Sequence, residues 1–188
     1  MAANTPLTRT RLDPRTSKMA GDALRATDRM GDLLDEVSEL TRWVRGEHAL
    51  TLGRVVIGDM IAAAARAASM PRHARVSVEV NAPADLATDA DSAQLTKACA
   101  ALITAIAQAQ TRDTTIVVMA HGGGQGRPVV GIAPVDLRHA AVTERPPALE
   151  RAGAGLSIAM ADLIVTRHGG LLVERWAGEV WAGYEARL

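Results

Sequence analysis

Gly153-Ala-Gly-Leu-Ser-Ile-Ala159 runs into Ala161-Asp-Leu-Ile-Val165 and then His168-Gly-Gly170. Two glycines one residue apart let a backbone turn tightly and approach a neighbour closely. The apolar residues that follow predict a helix over Leu156–His168, and Gly169-Gly170 end it. A helix opened by a glycine loop offers unpaired N-terminal amides, which favour an anion.

Downstream, Leu171–Val173 and Glu179–Arg187 read as a hairpin around Ala177-Gly178. Upstream, Ile116–Ala120 and Val129–Ile132 read as strands joined by His121-Gly-Gly-Gly-Gln-Gly126, with Pro134 interrupting the second. The stretch Leu137–Ala152, which carries Pro146-Pro147, is expected to be irregular. Before these lies a helix over Ser92–Gln110, with Leu95, Cys99, Leu102, Ile103 and Ile106 on one face. Asp85–Asp91 reads as a polar link. Val76, Val78 and Val80 alternate with Ser77 and Glu79 as a half-buried strand, and Ile57–Ala68 as an Ala-rich helix stopped before Pro71. Strands mostly in hairpins with helices on one face predict an α+β two-layer α/β sandwich over residues 47–188.

The N-terminal part differs. Residues 1–14 are polar and read as an arm, and Asp13-Pro14 suits a helix start. Met19, Ala23, Ala26, Met30, Leu33, Val37, Leu40 and Val44 then recur at spacings of four and three, a heptad seam. Gly46 is the stop. A lone helix cannot bury such a seam. It either lies along the following domain or pairs with a second copy, and the strict seam favours a dimerisation helix over residues 15–46 and a homodimer.

The 188 residues carry 21 basic and 21 acidic side chains, so no global charge draws the chain to nucleic acid or to an acidic membrane. There is no Phe, and Trp43, Trp176, Trp181 and Tyr184 are the only aromatics, which leaves an aliphatic core and no platform for stacking bases. The lone Cys99 excludes an internal disulfide and a cysteine-cluster metal site. Apolar runs such as Met60–Ala65 are far too short to cross a bilayer, and the polar N-terminus lacks a signal-peptide core. The expectation is a cytoplasmic protein with no membrane contact in this chain.

The glycine box and its H-G-G partner resemble the sensor histidine kinases, which carry G-x-G-L-G-L at the start of a helix ending in H-G-G. The spacing from Gly155 to His168 matches without a gap, and Ser157 replaces the third glycine. Asp91-Ser-Ala-Gln-Leu95 is similar to that family's D-x-x-x-L helix start. Arg29-Met30 through Leu33-Leu34, Ser38, Leu40–Arg42 and Gly46 resemble its second dimerisation helix, and Asp59-Met-Ile61 the beginning of its ATPase domain. The resemblance covers roughly residues 15–188. It implies the ATPase fold shared with gyrase and the large heat-shock chaperone.

The resemblance also locates departures. Two asparagines of the family's N-L-L-x-N-A helix fall on Ala101 and Ala105, and the second is the family's magnesium ligand. A methyl group offers a hard cation no oxygen, and Gln108 one turn on is a poor substitute. The D-x-G-x-G box is reduced to Asp136, followed by Leu137, Arg138 and His139. Asp136 can still accept from an adenine amino group, or it is an ordinary loop acid. Gly153 and Gly155 suit a phosphate, or they serve packing alone; Arg145 and Arg151 precede them in the segment corresponding to the lid. In that family the phosphoacceptor histidine lies on the first bundle helix, and none of the five histidines precedes His48. Asn4-Thr-Pro-Leu-Thr8 resembles the tail of the family's H-x-x-x-T-P-L box, whose histidine would fall on Met1. His48 reads as a solvated link residue, His73 as part of a turn, His121 as part of the glycine hairpin, and His168 as a helix cap.

These readings imply a degenerate histidine-kinase-like, pseudokinase-type protein, a dimeric non-catalytic scaffold or regulator with a protein partner in a two-component-type pathway. No metal or cofactor is expected, with ATP and magnesium bound at most weakly through Asp136, Gly153 and Gly155. The alternative is a divergent but active ATP-binding protein-histidine kinase core. A histidine phosphotransferase would need an exposed bundle histidine that the sequence lacks.

Overall fold

A computed structural model of the chain describes residues 13–148 and 155–188; the arm residues 1–12 and the segment 149–154, with Arg151 and Gly153, lie outside the described residues. The chain divides into two compact units, Met1–Glu39 and Leu40–Leu188.

Helix α1 runs from Pro14 to Val44. Asp13 starts it as anticipated: Oδ1 accepts from the backbone N–H of Arg15 and of Thr16 at 2.8 and 3.0 Å. The Thr16 hydroxyl donates to Oδ2 at 2.6 Å. Those bonds, led by the Thr16 hydroxyl, hold the Asp13 carboxyl below its usual range. Met19, Met30, Leu33 and Val37 of the seam are exposed, at 68, 62, 52 and 48%.

In the second unit the order is β1 (Gly53–Val56), α2 (Ile57–Ala67), β2 (Val76–Asn81), β3 (Ala87–Ala90), α3 (Ser92–Gln108), β4 (Thr114–Gly122), β5 (Pro128–Pro134), β6 (Thr143–Arg145), α4 (Gly155–Arg167), β7 (Leu171–Ala177) and β8 (Val180–Arg187). Six strands form one mixed sheet in the order β2-β4-β5-β8-β7-β6. Only β2 and β4 are parallel. The sheet unites the 76–80 strand with the 171–187 hairpin, and α2, α3 and α4 cover one face, so the anticipated sandwich is present.

The cross-strand rows explain the packing. Ile116, Val118, Val130, Ile132, Tyr184 and Leu172 share one face in register and are all buried. Against them pack Ile57 and Ile61 of α2, Leu102 and Ile106 of α3, and Ile158 and Ile164 of α4. Each such aliphatic side chain contributes roughly 1.5–3 kcal/mol on burial. The opposite face carries exposed Ser77 and Glu79. It also carries ion pairs of Glu185 with Arg175 and with Arg187, at 3.8 and 3.0 Å. Gly183, with φ +128°, sits at the irregularity where β8 carries one more residue than β7, since Arg175 opposes Gly183 and Trp176 opposes Trp181.

Four readings need correction. The Asp85–Asp91 link contains β3, which pairs antiparallel with β1. Both are four residues long, too short for alternation to show. The irregular 137–152 stretch contains β6 on the far edge of β7. Pro134 is the last residue of β5, past Ile132 where the pairing with β8 stops, so its missing N–H is tolerated there. His48 is not a solvated link residue. It is half-buried and stacks on Trp43, with ring centres 4.8 Å apart and planes 17° apart.

Trp43 itself is 1% exposed, and its carbonyl accepts from Arg167 Nη2 at 2.8 Å. Gly46 follows in the left-handed region at φ +73°, a conformation suited to the end of α1.

Candidate functional site

Helix α3 carries the residues that decide the site. Its N-cap is Asp91, whose Oδ1 accepts from the backbone N–H of Gln94 at 3.1 Å. Its other oxygen accepts from the N–H of Thr51 at 2.9 Å, tying down the segment before β1. Burial raises the Asp91 carboxyl, but the backbone donors of Thr51, Gln94 and Ala93 outweigh it, and the group lies below its usual range.

His168, at the end of α4, completes the node. Its Nε2 accepts from the backbone N–H of Asp91 at 3.0 Å, and Nδ1–H donates to the Ile164 carbonyl at 2.7 Å. The two bonds together need the neutral Nδ1–H tautomer. His168 is thus more than a helix cap: it holds the end of α4 against the start of α3. Two helices packed in that way run antiparallel, which directs the second half of α3 towards the first turn of α4 at Gly155.

That end of the helical layer is where the nucleotide contacts implied by the resemblance would gather. Ala105 is 6% exposed and Ala101 half-buried, while Gln108 is exposed at the end of α3. The position that the resemblance assigns to a magnesium ligand is therefore a methyl group within the hydrophobic core, and α3 carries no carboxylate. Among the described residues there is no cluster of three or more His, Cys, Asp or Glu that could hold a metal ion. The donor set does not fit magnesium.

Asp136 stands just past β5 at the same end of the sheet. Its Oδ2 accepts from Arg112 Nη2 at 3.0 Å, with both side chains at least half exposed. An adenine amino group would compete with that guanidinium. An exposed pair of this kind contributes about 0–1 kcal/mol, so it competes weakly. Gly155 is the first residue of α4, half-buried, and no acidic side chain occupies the first turn. The first-turn amides of such a helix suit an anion. Gly153 lies outside the described residues.

Arg145 lies in β6, its guanidinium 4.4 Å above the Trp176 ring. Beneath it Glu174, 1% exposed, accepts from the Ala148 N–H and from Trp176 Nε1, each at 3.0 Å. These bonds fasten the chain just after β6 to the sheet. Glu174 was legible only as a charge in phase with the buried row of Leu172, and Arg112 gave no signal at all. His73 Nε2 bonds the Gln110 carbonyl at 2.8 Å, and His121 is exposed beside the glycine hairpin. Burial pushes the Cys99 thiol up to about 12, which leaves no reactive thiolate.

No protein-family model matches the chain, and no curated protein matches it. Solved structures do. Full-length ShkA in complex with AMPPNP superposes with a TM-score of 0.69 at 19% identity, over 94% of this chain and 39% of that one. The Acinetobacter baumannii histidine kinase AdeS gives 0.69 at 11% identity, over 95% of this chain and 85% of that one. The fold is that of a histidine-kinase core. A histidine kinase from Burkholderia phymatum STM815 agrees, with a TM-score of 0.53 at 16% identity over 88% of this chain and 83% of that one. The chain therefore spans well under half of ShkA but most of AdeS. In this fold Gly155 opens α4, Asp91 caps the start of α3, and His168 joins the two. No helix among the described residues is long and apolar enough to cross a membrane.

Proposed function

We propose that the chain is a degenerate histidine-kinase-like signalling protein, acting in the cytoplasm as a dimeric, non-catalytic scaffold or regulator in a two-component-type pathway. The observation that carries this reading is Ala105, a methyl group in the core where the fold family places its magnesium ligand. Tight ATP binding in such a site relies on a cation bridging phosphates to a protein oxygen, and Ala105 offers none. The exposed seam of Met30, Leu33 and Val37 supports pairing of the helix over residues 15–46 with a second copy.

The test is a thermal-shift titration with ATP, with and without magnesium. The expected result is no magnesium-dependent rise in Tm. A ligand in excess of its Kd must stabilise the fold, so a shift of several degrees overturns the reading. Ala105→Asn is the engineered control. It restores an oxygen at the magnesium position, and any gain in affinity marks a pocket that is otherwise intact.

A second reading is an active, divergent kinase core. It is favoured by the helix start at Gly155, by Asp136, and by the AMPPNP held in ShkA on the same fold. Radiolabelled ATP separates the two. An acid-labile, base-stable label on the chain that vanishes in His48→Ala establishes the kinase.

A further inference from the structure

Strand β6 covers only part of the edge it pairs with. Thr143, Glu144 and Arg145 face Trp176, Arg175 and Glu174, and the chain then leaves at Pro146-Pro147. Two prolines in succession cannot donate to a ladder, so pairing stops there. Among the described residues, Leu171–Val173 have β8 on one side and no strand on the other. An uncovered edge presents backbone N–H and C=O groups ready for another chain. Here the open edge forms one wall of a groove of about 390 Å³, closed by Pro146 and Pro147 below and by Asp162 and Thr166 of α4 on the opposite wall. Leu171 is 50% exposed in it.

The charge inside the groove is not balanced. Glu144 is engaged by Arg187, and Arg145 is stacked over Trp176. Asp162 is half-buried and has no hydrogen bond or ion pair among the described residues. Burial pushes its carboxyl up.

We propose that this groove is a docking site for an extended peptide segment of a partner protein, added to the β7 edge in line with β6 and carrying a lysine or arginine that pairs with Asp162. Three residues of edge correspond to about 10 Å of strand. That length fits a short linear segment, with main-chain bonds supplying attachment and the cation supplying selectivity. The site is independent of whether the chain binds nucleotide.

The experiment uses the full chain, ¹⁵N-labelled, titrated with the peptide acetyl-Val-Thr-Val-Lys-Val-Thr-amide. The expected result is saturable movement of the Leu171, Leu172 and Val173 amide signals. Replacing the peptide's lysine by glutamate should weaken binding about tenfold, the scale of one charge-assisted hydrogen bond. Asp162→Asn should erase that preference while leaving the spectrum otherwise folded. The comparison of the two peptides on the unaltered chain needs no variant. Equal affinity for both, or no saturation at millimolar peptide, overturns the proposal. So does n-butylamine reproducing the same shifts, which would mark a site for a small amine. Concentration-dependent shifts without peptide would assign the edge to a second copy and overturn it likewise.

Discussion

The backbone N–H of Asp91 donates to His168 Nε2 across 3.0 Å, and this one bond joins the start of α3 to the end of α4. His168→Ala leaves that part-buried N–H without its acceptor and should cost about 1–3 kcal/mol. Asp91→Ala removes the α3 cap and should cost about 1 kcal/mol by that loss alone. Because the residues share one network, the double variant should depart from additivity by more than about 0.5 kcal/mol. Urea denaturation of the four proteins checks this, and simple additivity would show that the two residues act separately.

The Asp91 carboxyl also sets a pH dependence. Its folded value lies below the unfolded value of about 3.9. The unfolded chain therefore binds the proton more readily, and the associated stability is fully present above about pH 4 and lost as pH falls through the folded value. Asp91→Asn should flatten this acid limb of the stability curve while leaving the neutral-to-alkaline side parallel to that of the original chain. Tm measured from about pH 5 down to about pH 2 reads it directly, and an unchanged acid limb would contradict the assignment.

Two glycines with positive φ should respond very differently to alanine. At Gly183, φ is +128° and a Cβ would lie 2.0 Å from the Ile132 carbonyl oxygen in the adjacent strand. Backbone cannot yield there without opening the β5–β8 pairing, so Gly183→Ala should leave little folded protein. At Gly178, in the β7–β8 turn, φ is +62° and a Cβ meets nothing within 4 Å. Gly178→Ala should cost only the left-handed strain, about 1–2 kcal/mol. Similar losses at both positions would mean that the bulge is not as close-packed as described.

Pairing of the 15–46 helix predicts a homodimer at micromolar concentration. Leu33→Asp puts a carboxylate into an apolar seam, where an unpaired charge is costly, and should convert the chain to a monomer. Light scattering decides, and a monomeric original chain or an unaltered dimer in the variant ends the idea.

Most of the second unit is legible in the sequence because its elements are long or strongly patterned. The Gly155–His168 spacing anticipates α4 to within one residue at each end, and the apolar face of Leu95, Cys99, Leu102, Ile103 and Ile106 anticipates α3. The β1–β3 ladder and β6 escape notice because three or four residues carry no period. The site is legible only through the resemblance. Nothing about Arg112, in a polar loop, foretells that it reaches Asp136, because that ion pair depends on how two loops end at the same edge of the sheet. His48 is missed for a related reason: stacking on Trp43 is a consequence of where the chain turns at Gly46.

The burial of Trp43 dictates where this protein can be cut. Its indole belongs to the core of the Leu40–Leu188 unit although it is carried on the last turn of α1. A fragment beginning at Leu40 keeps that side chain and the Arg167 bond to its carbonyl. One beginning at Glu47 leaves a hole the size of an indole beside His48, a loss comparable to Trp→Ala in a core, about 3–5 kcal/mol. Expression boundaries, and any domain exchange that grafts another helix onto this unit, must therefore fall before the tryptophan rather than at the glycine that ends the helix.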